Sequence, residues 1–123
     1  MASILIVDDD PTVGMTFARM LEGEGHSVTR VETAVDGFSH LEVTAPDAVI
    51  LDINLPDLSG WEVARRIRDR RGPQPLLIGI SGEYKKGADK VLAHISGFDH
   101  YLVKPYDPKM IFAALDELRT GQR

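Results

Sequence analysis

Ile4-Leu-Ile-Val-Asp-Asp-Asp-Pro11 joins a short apolar run to three acids and a proline. The apolar run reads as a strand. Asp10 is placed to cap a following helix, with Pro11 at its first position, where a missing N–H costs nothing. Val13, Phe17, Met20 and Leu21 then fall on one helical face, and Gly25 ends the segment.

The same alternation repeats outward along the chain. A weaker strand follows around His26–Val31. Thr33 caps a second helix carrying Val35, Phe38 and Leu41, and Pro46 breaks the chain. Ala48–Leu51 is a continuous apolar strand closed by Asp52. A third helix starts near Gly60 and buries Val63, Ala64 and Ile67, before Gly72, Pro73 and Pro75 stop it. Leu76–Ile80 is the fourth strand, closed by Ser81. A fourth helix carries Ala88, Val91, Leu92 and Ile95, with Gly97 at its C-terminal cap. Tyr101–Val103 is the fifth strand, closed by Lys104. Asp107 and Pro108 open a last helix with Ile111, Leu115 and Leu118 inward. Uninterrupted apolar strands imply burial on both faces, as in a parallel sheet flanked by helices. The connections between them are then right-handed crossovers.

Composition narrows the class. The 123 residues fit one domain, and 43% hydrophobic with 27% charged residues suits a folded core. No apolar run approaches the ~20 residues of a membrane span, and the acids so soon after Met1 interrupt any signal-peptide core. A cytoplasmic location is expected. Met1 so close to the first strand favours a natural start. Zero cysteines remove disulfides and thiolate chemistry, and a formal charge of −5 disfavours direct binding to nucleic acid or to an anionic membrane.

Polar residues recur where the apolar strands end: Asp8 and Asp9, Asp52, Ser81 and Lys104. In an open parallel sheet the strand C-termini share one edge, and ligands bind there at a topological switch point. Three carboxylates in one crevice repel one another and require a cation. Oxygen ligands without Cys or nearby His suit Mg²⁺. An Asp in such a site can attack phosphorus and form an aspartyl phosphate, with Mg²⁺ and the Lys104 ammonium neutralising the transferring group.

With these residues placed, the chain resembles the receiver domain of two-component response regulators over roughly Ile4 to Leu118. The motifs are Ile4-Leu-Ile-Val-Asp-Asp-Asp-Pro11, Leu51-Asp-Ile-Asn-Leu-Pro56, Asp57-Leu-Ser-Gly60, Ser81-Gly82 and Leu102-Val-Lys-Pro105. The resemblance implies a flavodoxin-like doubly wound sheet of order 2-1-3-4-5, with five helices on both faces and residues 1–123 as a single receiver domain. Asp52 matches the phosphoacceptor. Asp9 matches the direct metal ligand, Asp8 the second acid, and the Asn54 main-chain carbonyl the third protein ligand of Mg²⁺. Lys104 matches the family's lysine, with a cis bond to Pro105. Ser81 matches the switch hydroxyl, and Tyr101 the aromatic that turns inward from solvent with it. Asn54 and Glu83 match positions flanking the hydrolytic water, so a short-lived phosphate is expected. The donor is then a histidine kinase or histidine phosphotransfer protein. A downstream protein or a self-dimer uses the face of the fourth helix, fifth strand and last helix, spanning Lys85–Ile95 and Tyr101–Leu115. Such a domain assists its own phosphorylation and dephosphorylation and is a switch rather than a metabolic enzyme.

Two rivals accompany that reading. One is a degenerate receiver that binds proteins without phosphorylation. The other is a haloacid-dehalogenase-type phosphohydrolase, for which Asp8 and Asp10 give the Asp-x-Asp pattern but the chain is too short. Among the remaining residues, Trp61 reads as packing near the third helix. Arg65–Arg71 reads as a solvated basic helix face. His26, His40, His94 and His100 show no ligand spacing and read as surface or strand-edge residues.

Overall fold

The computed structural model describes residues 2–82, 96–103 and 107–120, with the backbone alone described at residues 119 and 120. The strands are β1 (Ser3–Val7), β2 (Ser27–Val31), β3 (Ala48–Asp52), β4 (Leu76–Ser81) and β5 (His100–Val103). The helices among the described residues are α1 (Pro11–Gly23), α2 (Ala34–Val43), α3 (Gly60–Arg68) and the last helix, α4 (Lys109–Thr120). The expected helix over Ala88–Ile95 lies outside the described residues. All four strand pairings are parallel, in the order β2-β1-β3-β4-β5. This is the flavodoxin-like sheet expected.

Alternation along each strand divides the core into two layers. Ile4, Ile6, Ile50, Ile78 and Ile80 face one side with Phe17, Leu21 and Ile111 from α1 and α4. Leu5, Val7, Val49, Leu51 and Leu77 face the other with Leu41, Val63 and Ile67 from α2 and α3. Both faces of β3 and β4 are closed to water, which is why their sequences are apolar without interruption. Each fully buried Leu or Ile contributes roughly 1.5–3 kcal/mol.

The helix caps follow the sequence closely. Asp10 Oδ1 accepts from the Thr12 N–H at 3.0 Å, and Thr33 Oγ1 accepts from the Asp36 N–H at 3.1 Å. The buried face of α2 is a correction. Val35 is 64% exposed, while Ala34, Gly37 and Leu41 point inward. Gly37 lies against β1 and β2, where a Cβ would make ordinary contact with Val7 Cγ2 at 3.4 Å.

The arginine segment is also more than a solvated face. Arg65 and Arg66 are exposed, each about 4 Å from Glu62 (3.8 and 3.7 Å). Arg68 instead turns inward. Its Nε donates to the Gly97 carbonyl and its Nη1 to the Pro75 carbonyl, both at 2.8 Å, while Nη2 pairs with Asp99 Oδ2 at 2.8 Å. Gly97 has φ +102°, and a Cβ on it would meet Arg68 Cγ at 2.5 Å, so glycine is required there twice over. Two histidines likewise have structural partners. His26 Nδ1 accepts from the Ala2 N–H at 3.1 Å, and His100 Nε2 lies 2.6 Å from Glu117 Oε1.

Candidate functional site

Strand register assembles the site. Val7 pairs with Leu51, so the next residues, Asp8 and Asp52, leave neighbouring strands side by side. Asp52 and Ser81 are themselves strand residues, paired with Ile80 and Val103. The ladder therefore fixes their backbones, where the sequence suggested only that they close the strands. Ser81, Asp8 and Asp52 are all buried, at 4–8% exposure, and Asp9 is exposed. Carboxylate oxygens of Asp8, Asp9 and Asp52 lie within 4.8 Å of one another.

Local bonds orient these carboxylates. Asp8 Oδ1 accepts from the Asp10 N–H at 2.8 Å, and Asp52 Oδ1 accepts from the Asn54 N–H at 2.9 Å. Both are Asx-type turns that hold a carboxylate over its own loop. The cluster fits a hard divalent cation: three oxygen donors, two of them buried, of the number and type Mg²⁺ shares with waters and phosphate. Asn54 is exposed, and its side of the loop is pinned by a bridge to Ser59. Lys104, Pro105 and Glu83 lie outside the described residues, as does Lys85–Ile95 of the expected signalling face.

A cleft of about 450 Å³ lies at the opposite edge of the sheet, among Ala2, His26, Asp47 and Phe112. Its side chains belong to strand beginnings and helix ends, away from the strand C-termini where ligands of such sheets bind.

Two residues between the end of β3 and the first turn of α3 carry roles that sequence reading did not assign. Asp57 Oδ1 and Oδ2 accept from the N–H groups of Ala34 and Val35, each at 3.0 Å, and so cap α2 from a distance of more than twenty residues. Gly60 packs on the backbone of Asp52 and Ile53, with its N–H donating to the Ile53 carbonyl at 2.8 Å. The acid and the glycine were visible as turn residues. Which helix and which strand they touch is a tertiary matter.

The N–H groups of Ala34, then Val35, hold the Asp57 carboxyl below the usual carboxylate range. A depressed folded-state pKa gives stability that is present above the unfolded value and lost as pH falls through the folded one. Asp57→Asn should therefore be less stable than wild type near pH 6, with the gap closing as pH falls below the ordinary carboxylate range. Urea midpoints across that range would show it; a gap independent of pH would refute the charged cap.

Strand order reverses between β1 and β3, so the carboxylates sit at the topological switch point. Fold and site together define a flavodoxin-like domain with an acidic, oxygen-donor crevice at its carboxyl edge. Residues 4–116 match the response regulator receiver domain family. The chain is 32% identical to Protein PilH of Pseudomonas aeruginosa over 98% of its length and all of PilH. It is 33% identical to Transcriptional regulatory protein AfsQ1 of Streptomyces coelicolor, of which it spans only 54%. A CheY-like response regulator receiver domain protein from Methanospirillum hungatei superposes with a TM-score of 0.86 at 31% identity, covering 98% of both chains. The chain belongs to the response regulator receiver domain family and is a module of two-component signalling. No helix among the described residues is long and apolar enough to cross a membrane.

Proposed function

We propose that the chain is a phosphorylated switch whose acceptor is Asp52. The observation that carries this reading is the convergence of Asp8, Asp9 and Asp52 oxygens within 4.8 Å at the switch point of a receiver fold. An Asp52 carboxylate oxygen attacks the phosphorus of a phosphohistidine. The N–P bond breaks, its electron pair returns to the imidazole nitrogen, and an acyl phosphate remains on Asp52. Bound Mg²⁺ supplies charge neutralisation for the phosphoryl oxygens. Asp8, Asp9, Asp52 and the Asn54 carbonyl are the residues to hold it. The Asn54 N–H keeps Asp52 aimed, Lys104 compensates the developing charge, and the Ser81 hydroxyl bonds a phosphoryl oxygen. In hydrolysis, water attacks the same phosphorus, the P–O bond to Asp52 breaks, and the carboxylate departs, releasing inorganic phosphate; the polar side chains of Asn54 and Glu83 leave room for fast turnover. The domain thus assists its own chemistry without a metabolic substrate.

The donor is a histidine kinase or histidine phosphotransfer protein in the cytoplasm. The signal leaves through the face around β5 and α4, to a downstream protein or a second copy, as Ser81 and Tyr101 change together.

Acetyl phosphate with Mg²⁺ tests the acceptor directly. Mass spectrometry should find one phosphoryl group on Asp52, and chelation should remove the labelling. Labelling at another residue, or labelling indifferent to Mg²⁺, would sink the proposal. Absence of both labelling and Mg²⁺ binding would favour a phosphorylation-independent binding module.

A further inference from the structure

Tyr101 is half-buried rather than standing in solvent, and its ring packs against Trp61. The two rings lie 5.4 Å apart between centroids, tilted by 32°. Trp61 also meets Phe98 edge-on, at 5.8 Å and 81°. Space for this cluster comes from Gly79, which pairs with Tyr101 across β4 and β5. A Cβ at Gly79 would come within 2.9 Å of the Phe98 ring. All three aromatics pack on the core layer that contains Leu51 and Ile53. Trp61 follows Gly60, whose Cα sits against the Asp52 carbonyl and Ile53. Direct contacts therefore run from the backbone of Asp52 through Gly60 and Trp61 to Tyr101, a route separate from Ser81.

We infer that Trp61 is a positioning residue of the switch: its indole holds Tyr101 in the half-buried orientation, the one that phosphorylation of Asp52 favours. This builds on the phosphoacceptor reading above. The direction follows from the packing. Only in the half-buried orientation does the Tyr101 ring meet the indole, and a ring turned out to solvent forfeits that contact. An aromatic pair of this kind biases a two-state equilibrium about threefold to tenfold. By linkage, any ligand that selects the same state binds more weakly when the pair is broken, by the whole of that factor where the state is a minor one before the ligand arrives.

The test is a titration with beryllofluoride in Mg²⁺, read by the Tyr101 ring signals in NMR. Trp61→Leu should need about threefold to tenfold more beryllofluoride to reach its midpoint, and Trp61→Phe should recover most of the difference. Trp61 is the chain's only tryptophan, so its fluorescence reports the same event in the wild type. Tyr101→Leu should blunt that fluorescence change. A purely structural Trp61 would lower the melting temperature and leave the midpoint alone. A midpoint in Trp61→Leu equal to or below that of a responding wild type overturns the role of Trp61 and leaves the phosphoacceptor intact. A wild type that does not respond at all overturns the phosphoacceptor reading, and this inference with it.

Discussion

Asp52→Asn should abolish phosphoryl labelling and, in the absence of metal, make the protein more stable than wild type. Three carboxylates have oxygens within 4.8 Å of one another. At an effective dielectric near 20, each pair at that separation repels by about 3–4 kcal/mol before solvent screening. Asp9 is exposed, which reduces its share. Removing the Asp52 charge leaves the geometry in place, since an asparagine Oδ1 can still accept from the Asn54 N–H that Asp52 engages at 2.9 Å. A net gain of about 1–2 kcal/mol, several degrees in Tm, is expected. Mg²⁺ should reverse the ranking. At about one hundred times its Kd it adds about 2.7 kcal/mol to the wild type and much less to the variant. Paired thermal melts with and without Mg²⁺ decide the matter. A metal-free variant less stable than wild type would mean that the cluster is not under repulsion.

The largest loss of stability is expected from Gly60→Ala. The added Cβ would sit 2.6 Å from Ile53 Cα and 2.8 Å from the Asp52 carbonyl oxygen. Both obstacles are backbone, so no rotamer change relieves them. Asp52 ends β3, which lies between β1 and β4, and the Ile53 N–H is tied to the Ile80 carbonyl at 2.9 Å. Overpacking of this kind costs about 2–4 kcal/mol, and the Gly60 N–H bond to Ile53 would be strained with it. Because the displaced backbone carries Asp52, labelling should slow as well. Gly23→Ala is the internal control. Its Cβ would meet nothing within 4 Å near the end of α1, so helix propensity predicts a gain of up to about 1 kcal/mol. Denaturant midpoints at unchanged m-value compare the two. A Gly60→Ala variant within about 0.5 kcal/mol of wild type would show that α3 can slide off the loop.

By itself the sequence determined the elements that local chemistry governs. Apolar runs of strand length placed β1 to β5 to within a residue. Asp10 and Thr33 announced their helices because a cap is a bond between near neighbours. The acids at strand ends could be read as one site because parallel strands share a carboxyl edge. Tertiary structure decided whatever depends on contact between distant segments. Packing on the sheet turned Ala34, Gly37 and Leu41 of α2 inward, so Val35 faces water despite its hydrophobicity. Arg68 left the basic face to clamp Gly97 and Asp99, some thirty residues away. Asp57 capped a helix that ends before β3 begins. Trp61 of α3 found Tyr101 of β5, forty residues on, while Gly79 left room for the Phe98 ring that Trp61 also meets. Periodicity records how a residue relates to its own helix or strand. It carries no term for the side chain that arrives from elsewhere, and that is where the positioning of this site resides.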